Sequence, residues 1–501
     1  MTEAERISIL LGDPANRTMN AGEIIAAEIK EFKGNEAYTL MVEGEQYYRN
    51  RSAVQAKVND VAQRSNTKIE IPMVKKLTDQ KVNYLLSKPF SVKTEDKKYA
   101  ECLNDIFNAG FRKKVKALDK NAIKQGIGWI QPYIKRDKPG NPAKLDFLLP
   151  LPTEVVPIWR DNEKQDLEAI IRFYQQTVYT GNIKGTVTHA ELCTCAGIQR
   201  YTSTRGATSG GSEYDFVIDK QYGTEQNGFT DPWLAINGKE YVLDEVPASW
   251  LRYNDEELPL HYFLKEMVDD INWQTSVTAD VLRDVAKFIY LLRGYGGQNI
   301  AEFVKDLQEA LAVKLQADGG VDKLQADLNI DAVMAFLEQH RKNVIYYANG
   351  VDTQDPNLGD ASGSALNFRY MDLDNDCQYM ANELQGTFER LKLFIDVYLQ
   401  AIGKGDFTAV PFEIVFNMDM PVNESDVITN VVASQNILSK KTALENHPWV
   451  TDAEAEAEQI AKEKKENMQQ FGEGLFDDDY SAGDLPPEDP AAKKSAGGED
   501  E

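Results

Sequence analysis

Four acidic residues have the spacing that comes nearest to a metal site. They fall at positions 1, 3, 5 and 12 of a calcium-binding loop and are Asp372, Asp374, Asp376 and Glu383. Position 6 of such a loop needs a glycine for its sharp turn, and Cys377 occupies it here. The pattern of residues 366–400 also predicts a continuous helix, which would exclude a loop. A solvated acidic turn of helix is therefore favoured, with calcium binding as the alternative.

Other motifs that could carry catalysis are incomplete. Residues 223–230 (GTEQNGFT) resemble a phosphate-binding loop, but Phe229 stands where the lysine is needed, and no strand-to-helix context surrounds them. The four histidines are far apart and form no zinc pattern: His189, His261, His340 and His447. We therefore expect no enzymatic activity and no cofactor. A metal-dependent nuclease built from scattered carboxylates is the enzymatic alternative.

The cysteines give no metal-ligand or disulfide spacing. They are Cys102, Cys193, Cys195 and Cys377. Cys193 and Cys195 are two residues apart in a predicted strand, which places them on one face. We predict a pair of reduced, packed thiols, with a metal or redox site as the alternative.

The charge of the chain limits what it can bind. The formal net charge is −25, and residues 451–501 hold 16 acidic and 5 basic side chains. Tight nucleic-acid binding requires clustered Lys and Arg, so a DNA partner would pass loosely and would not be gripped. The 42% hydrophobic content predicts a folded protein, and 501 residues predict two or more domains. No apolar run is long enough to span a membrane, and residues 1–17 lack a secretory pattern, so we expect a soluble protein made in the cytoplasm.

Hydrophobic periodicity divides the chain into helical and strand-rich parts. It predicts a helical arm at 1–35, a polar surface segment at 49–66, and a short strand running into a helix at 67–86. Residues 126–250 favour strands, with a hairpin tip at 206–211 (GATSGG). This part is predicted to be a β-rich or α+β domain.

The second half of the chain is predicted to contain two long helices around a small insert. The helices lie near 260–285 and 330–348, and the insert between them has two glycine pairs. A polar loop at 349–364, a third helix at 365–402, a strand at 410–418 and helices at 424–470 follow. An elongated subunit that projects a small domain would have this plan.

Several stretches resemble the portal proteins of long-tailed phages that infect Gram-positive bacteria. They are GEQYYRNR (44–51), NTKIEIPMVKKLTDQKVNYLLSKPF (66–90), LLRGYGGQNIAEFVKDL (291–307), GGVDKL (319–324), NGVDTQDPNLGDASGSALNFRYMDLD (349–374) and HPWV (447–450). Their order and spacing carry the resemblance, which covers roughly residues 40–470.

The resemblance implies an elongated α+β portal fold with long stem helices, a β-containing clip, a mixed wing and a helical crown. The implied regions are 1–258 wing, 259–285 first stem helix, 286–329 clip, 330–348 second stem helix, 349–364 tunnel loop, 365–402 long wing helix, 403–424 wing return strand, 425–472 crown and 473–501 disordered acidic tail. We assign the tail no role.

The resemblance also implies a function. Such proteins form a homo-oligomeric ring, usually of twelve subunits, at one capsid vertex of the virion, after assembly in the host cytoplasm. Double-stranded DNA passes non-specifically through the ring during packaging and ejection. The implied protein partners are terminase, the head–tail adaptor, and the major capsid and scaffolding proteins, without a membrane. The chain has no Walker motif, so the motor would be the separate terminase. The alternative is another virion structural protein, a minor head or scaffold-associated protein, without a channel.

Two sets of site residues follow from the resemblance. The tunnel loop would line the channel with Asp352, Thr353, Gln354, Asp355, Asn357, Asp360 and Ser362. An acidic or neutral wall would repel the phosphates and keep friction low, and Gly350, Gly359 and Gly363 would let the loop move. An ordinary exposed loop is the alternative. In the clip, Arg293, Tyr295 and Gln298 would face partner proteins, or Tyr295 would belong to the clip core.

Overall fold

The computed structural model of the chain describes most of residues 19–472. The described residues are 19–58, 65–135, 144–180, 182–203, 214–222, 224–225, 228–236, 239–241, 243–284, 289–293, 320–324, 329–356, 363–418, 424–434, 437–445, 447, 449–450 and 453–472. The chain divides into two compact units, with the boundary between residues 420 and 421.

The first unit combines helices and small antiparallel sheets. Its described helices are α1 (Ala21–Gly34), α2 (Glu36–Tyr48), α3 (Met73–Leu86), α4 (Lys97–Ile106), α5 (Ala109–Gln125), α6 (Leu260–Asp284), α7 (Ile330–Tyr347) and α8 (Gly363–Ala401). Local sequence explains several boundaries. Asn20 and Glu23 form a capping box at α1, and Asn35 caps α2. Gly126, at φ +84°, ends α5. The prediction of a helical arm at 1–35 is confirmed for α1, and residues 1–18 lie outside the described part.

The strands form five antiparallel sheets among the described residues. They are β1 (Ser91–Lys93), β2 (Ile127–Lys135), β3 (Lys144–Leu148), β4 (Val155–Trp159), β5 (Leu167–Thr180), β6 (Ile183–Thr194), β7 (Gly197–Ser203), β8 (Val217–Ile218), β9 (Thr230–Asp231), β10 (Leu234–Ile236), β11 (Lys239–Tyr241), β12 (Ser249–Arg252), β13 (Ile289–Arg293), β14 (Gly320–Leu324) and β15 (Glu413–Val415). The largest sheet has the order β4-β5-β6-β7-β8, with β9 also paired to β7, and a second has the order β12-β2-β3. The α+β class and the strand-rich region at 126–250 are confirmed. The predicted hairpin tip at 206–211 lies outside the described residues.

Aromatic side chains fill the core where the sheets meet α8. Trp129, Trp159 and Trp250 are buried together, with ring centroids 4.7 to 6.1 Å apart. Arg390 of α8 stacks on Trp250 at 4.1 Å from the ring centroid and donates to the Trp250 carbonyl at 2.7 Å. The guanidinium thus has an aromatic face and a carbonyl acceptor in place of a carboxylate.

The two long helices predicted near 260–285 and 330–348 are confirmed as α6 and α7, which pack against each other. Between them in sequence, β13 and β14 pair as an antiparallel two-stranded sheet, in which Arg293 is opposite Gly320. The third predicted helix is confirmed as the 39-residue α8. The assignment of these elements to a stem, a clip and a wing stays a prediction.

Residues 65–71 are not the predicted strand but an extended strap along α6. Their alternate backbone N–H groups donate to polar side chains of α6 that recur every four residues. The pairs are Thr67 to Asp280 Oδ1 at 2.7 Å, Ile69 to Ser276 Oγ at 2.8 Å and Ile71 to Asn272 Oδ1 at 2.9 Å. Two extended residues rise about 6.7 Å and four helical residues rise about 6 Å, so the two repeats match. The strand prediction is wrong because α6 supplies side-chain acceptors where a sheet would supply carbonyls.

The polar segment before the strap is also partly buried, which corrects the prediction of a surface segment at 49–66. Lys57 is buried and forms an ion pair with Asp280, the same residue that accepts from the strap. Ser52 is buried as well and accepts a hydrogen bond from Asn272 Nδ2 at 3.0 Å. Polar residues here are buried because α6 offers each of them a partner.

The cysteines are free, but the predicted packed pair is wrong. Cys193 is buried in β6, whereas Cys195 lies in the turn after that strand and is exposed. The strand ends at Thr194, so the two thiols do not share a strand face.

The second unit contains helices α9 (Glu424–Ser434), α10 (Lys440–Glu445) and α11 (Ala453–Gly472), among which α10 and α11 pack together. The helices predicted for 424–470 are therefore confirmed. The predicted disordered tail at 473–501 lies outside the described residues.

A buried carboxyl group stands out in the core of the first unit. Asp119 of α5 is 1% exposed, and neither of its oxygens has a hydrogen-bond partner in the described part of the chain. Burial and the nearby Asp376 raise its pKa to about 7, against the opposing charges of Lys120 and Lys81. The folded protein therefore holds a proton on Asp119 that an unfolded chain releases near pH 4.

We predict that Asp119→Asn changes how stability depends on pH. Because the pKa of Asp119 is higher in the folded chain than in the unfolded chain, proton binding by Asp119 stabilises the fold. This contribution to the free energy of unfolding is fully present below pH 4 and is lost as pH rises to about 7. The asparagine does not titrate, so the variant does not lose this stability. The free energy of unfolding of the variant should therefore rise relative to that of the native chain across this pH range, by up to roughly 4 kcal/mol. Urea unfolding at pH 4.5 to 8 measures it. Asp105→Asn, an exposed change, is the control and leaves the native pH dependence. Parallel curves for Asp119→Asn and the native chain would contradict the prediction.

Candidate functional site

The structure describes part of each predicted site. In the predicted tunnel loop, residues 349–356 are described, which include Asp352, Thr353, Gln354 and Asp355. Asn357, Asp360 and Ser362 lie outside the described residues, as do Tyr295 and Gln298 of the predicted clip. Arg293 is the last residue of β13. The geometry that can be analysed is therefore that of the loop base, residues 349–356.

The loop base begins with a tight end to α7. Asn349 adopts a left-handed conformation with φ 51°. Its N–H donates to the Tyr346 carbonyl at 3.0 Å, and the Gly350 N–H donates to the Ile345 carbonyl at 2.9 Å. This is the Schellman pattern, in which an asparagine can replace the usual glycine. The chain thus leaves α7 in a fixed direction.

Gly350 lies in close contact with α3. A Cβ atom at this position would lie 2.5 Å from Leu77 Cδ2 of α3, so only glycine fits without a shift. The residues on either side of it are also held: the Asn349 N–H donates to α7, and the Val351 N–H donates to Gln80 of α3. Gly350 therefore allows close packing against α3, and the expectation that it gives the loop freedom to move stays a prediction.

Gln80 of α3 binds both backbone polar groups of Val351. Its Oε1 accepts from the Val351 N–H at 3.0 Å, and its Nε2 donates to the Val351 carbonyl at 3.0 Å. The amide acts as a neighbouring strand would, and Val351 itself is buried. These two hydrogen bonds fix the loop base to α3.

Two arginines neutralise the carboxylates of the loop base. Arg341 of α7 binds both oxygens of Asp352, at 2.9 and 2.7 Å, and also contacts Glu338. The hydrogen bonds from Arg341 hold the pKa of Asp352 below its usual value. Arg369 of α8 pairs with Asp355 at 2.6 Å. The sequence of the loop contains no Lys or Arg, but its described carboxylates form ion pairs with arginines of the flanking helices.

Sequence reasoning found the loop but not the residues that hold it. Gln80, Arg341 and Arg369 are separated from their loop partners by 271, 11 and 14 positions. No motif marks them. The short separations of the two arginines gave a weak signal, because a basic residue on a flanking helix can reach an acidic loop.

The acidic spacing at 372–383 is structural. These residues lie inside α8, which confirms the helical interpretation over a calcium loop. Asp374 accepts from Tyr84 Oη at 2.9 Å, and Asp376 pairs with Lys81. Within the described ranges, no three His, Cys, Asp or Glu side chains are grouped so that they could hold a metal ion. Within the loop-like stretch, residues 228–229 form a turn and Thr230 begins the short strand β9, which is followed among the described residues by β10.

The long helices α6 and α7 expose a series of large apolar side chains. On α6 these are Tyr262, Phe263, Trp273 and Leu282, and on α7 they are Ile330, Met334, Phe336, Tyr346 and Tyr347. None of the described helices has the length and apolar content to cross a bilayer. An exposed apolar series of this extent is typical of a surface that associates with another protein.

The sequence of the chain is similar to those of known portal proteins. The family model described as phage portal protein, SPP1 Gp6-like, matches residues 29–470. The chain is 27% identical to the portal protein of Bacillus phage SPP1 over 428 residues, which are 85% of this chain and 81% of that protein. It is 26% identical to the portal protein of Clostridium phage phiCD119 over 401 residues, 78% of this chain and 83% of that one. The chain belongs to the SPP1 Gp6-like family of phage portal proteins.

Membership of this family confirms the resemblance to portal proteins of phages that infect Gram-positive bacteria, which the sequence motifs had indicated. It also confirms the interpretation as a phage portal protein, a component of the virion, over that of another virion structural protein.

We predict that Gln80→Ala releases the loop base without unfolding the first unit. Two hydrogen bonds to Val351 are lost, each contributing about 1 kcal/mol, so the Val351 amide should exchange with solvent at least tenfold faster. Hydrogen–deuterium exchange of the peptide covering 346–356 measures this. Asn83→Ala, an exposed change on the same helix, is the control and should leave the exchange rate as it is. Equal protection in Gln80→Ala would show that the amide does not hold the loop.

Proposed function

We propose that the chain assembles with copies of itself into a closed ring at one capsid vertex, and that DNA passes through this ring during packaging and ejection. The observation that carries the proposal is the packed pair of long helices, α6 and α7, with its series of exposed apolar side chains. A ring of identical subunits needs two different, complementary surfaces on each copy. Helices with apolar residues on more than one side satisfy that need.

The residues at one end of the helix pair support this proposal. Leu282 lies on the same side of α6 as Leu264, which is 0% exposed, because 18 residues make five turns. Leu282 is nevertheless 52% exposed. Ile330 at the start of α7 is exposed as well. The apolar stripe thus continues beyond the part that the subunit covers by itself, and a neighbouring copy would cover it.

The regions of the subunit are assigned with the same proposal. α6 and α7 would be the stem, strands β13 and β14 would belong to the clip, and residues 349–364 would be the tunnel loop. Residues 1–258, the helix α8 and residues 403–424 would make the wing, and α9 to α11 the crown. The proposed number of subunits is twelve. The proposed role is structural, with the motor supplied by a terminase.

The loop base suits a channel through which DNA slides. Asp352 and Asp355 are each neutralised by an arginine, and Thr353 and Gln354 are uncharged. Such a wall presents no cluster of cations that would hold phosphates and stall the DNA. We propose that the loop contacts DNA transiently, with its base fixed by Gln80 and Arg341. Asn357, Asp360 and Ser362 would continue this polar wall.

The clip is proposed as the docking site for the terminase and later for the head–tail adaptor. The strands β13 and β14, which lie between α6 and α7 in sequence, are suited to this because they form a separate two-stranded sheet. The proposed contact residues are Arg293, Tyr295 and Gln298. The capsid and scaffolding proteins would contact other surfaces of the ring.

The ring is tested first by native mass spectrometry and negative-stain microscopy of the purified chain. We expect closed rings of near twelve copies of the 56.3 kDa subunit. Leu282→Glu combined with Ile330→Glu should abolish them, because each burial would then desolvate a carboxylate. Val217→Glu, an equally drastic change at an exposed position of β8, is the control and should leave the rings intact. A monomer at every concentration of the native chain would overturn the proposal.

The clip is tested separately. Replacing Arg293, Tyr295 and Gln298 together with alanine should weaken binding of terminase and adaptor at least tenfold while rings still form, because the change leaves α6 and α7 untouched. Surface plasmon resonance on immobilised rings measures the binding. Alanine at the exposed Tyr179 of β5 is the control. Unchanged binding of both partners to the triple variant would rule out the docking role of these residues.

A further inference from the structure

An open apolar groove lies beside α6, at the level where the strap ends. Its volume is about 450 Å³, and its walls come from the strap, α3, α6 and α7. The apolar residues that line it include Ile71, Met73, Leu77, Ile271, Met334 and Leu337. Its polar residues include Lys76, Glu338 and Arg341. Met334 is 58% exposed in this groove. A groove of this composition fits one large, mostly apolar side chain with a polar edge.

Trp273 is exposed on the opposite side of the same helix. Successive residues of an α-helix are rotated by about 100°, so Ile271 and Thr275 lie about 160° to either side of Trp273. Those two residues line the groove. Trp273 itself is 44% exposed. The groove and the tryptophan therefore lie on opposite flanks of α6.

The two features also lie at the same level along the helix. Trp273 is two residues from each of Ile271 and Thr275, a rise of about 3 Å. Copies in a closed ring are related by rotation without translation, so contacting surfaces must have the same height along the ring axis. A helix that runs along that axis meets this condition when its projecting side chain and its groove are at one level.

We propose that Trp273 of each copy inserts into this groove of the adjacent copy. The inference rests on the proposed ring and specifies its subunit contact. The groove walls would bury the indole, and Arg341 would contribute its planar face, because its N–H groups are already bound in the plane by Asp352 and Glu338. Tryptophan buried in a pocket of the partner is the kind of contact that carries most of the energy of an interface.

The occupant would also contact the loop base. Arg341 and Gln354 belong both to this groove and to the cavity of about 540 Å³ beside the loop, which Asp352 and Asp355 line. A tryptophan from the neighbour would thus touch the arginine that holds Asp352. The subunit contact and the position of the tunnel loop would be connected through one side chain.

The experiment is disulfide cross-linking in assembled rings. The chain carries Cys195→Ser, so that the exposed native thiol is removed, together with Trp273→Cys and Met334→Cys. Oxidation should give a ladder of covalent multimers on a non-reducing gel, since the two positions would meet across the interface. Neither single variant should give a ladder. Within one chain the two thiols would lie on different flanks, and an intrachain bond would leave the chain a monomer on the gel.

The matched control changes only the position of the cysteine along the axis of α6. Tyr262 is exposed on nearly the same flank as Trp273, about 20° away, but 11 residues or roughly 16 Å along the helix. Tyr262→Cys with Met334→Cys should therefore give no ladder. A ladder of equal strength from the Tyr262 pair, or none from the Trp273 pair in intact rings, would overturn the inference.

A second measurement covers variants that assemble poorly. Cys195→Ser with Trp273→Cys alone is labelled with a maleimide as rings and as subunits separated by dilution, with circular dichroism to confirm folding. At least tenfold slower labelling in rings is expected, and equal labelling would contradict the contact. Rings are scored independently by native mass spectrometry. Absence of native rings defeats the proposed function, whereas intact rings with a reactive, uncross-linked position 273 defeat this inference alone.

Discussion

The arrangement of the helices depends on one set of contacts, the ladder of backbone-to-side-chain hydrogen bonds between the strap and α6. A helix satisfies its own backbone groups but leaves an extended segment beside it without partners. Asn272, Ser276 and Asp280 supply those partners at intervals of one helical turn. The strap then buries Lys57 against Asp280 and brings Ile71 and Met73 to the groove. One face of α6 is thus occupied by polar contacts, which leaves the apolar contacts to its other faces.

The loop base depends on the same assembly. Because α3 follows the strap directly, the ladder also positions Leu77 and Gln80, which meet Gly350 and Val351. Arg341 adds a bidentate ion pair from α7, which is stronger and more directional than an exposed pair. The first residues of the loop are therefore part of the folded body.

The sequence predicted the regular elements well and the contacts between them poorly. The periodicity of α6, α7 and α8 is strong over many turns, and all three were predicted within a few residues. The strap was predicted as a strand because Ile69 and Ile71 alternate with polar residues, a pattern that extended chain shares whether its partner is a sheet or a helix. The roles of Gln80 and Gly350 had no local signal, since each depends on a residue of another element. Cys195 was placed on a strand that ends one residue earlier.

The acidity of the chain limits the kinds of contact that could hold copies together in the proposed ring. Each copy has a formal net charge of −25, so copies that approach one another repel over a distance set by the salt concentration. Ion pairs across an exposed interface contribute little against that repulsion. Burial of apolar area is insensitive to charge and contributes about 25 cal/mol per Å² removed from water. The exposed residues of α6 and α7 can supply such area. The carboxylates of Asp352 and Asp355 in the loop base are paired with arginines of the same chain. In the proposed ring, two requirements would thus be met by different parts of the fold: exposed apolar residues of α6 and α7 would hold the copies together, while the polar loop would face the DNA.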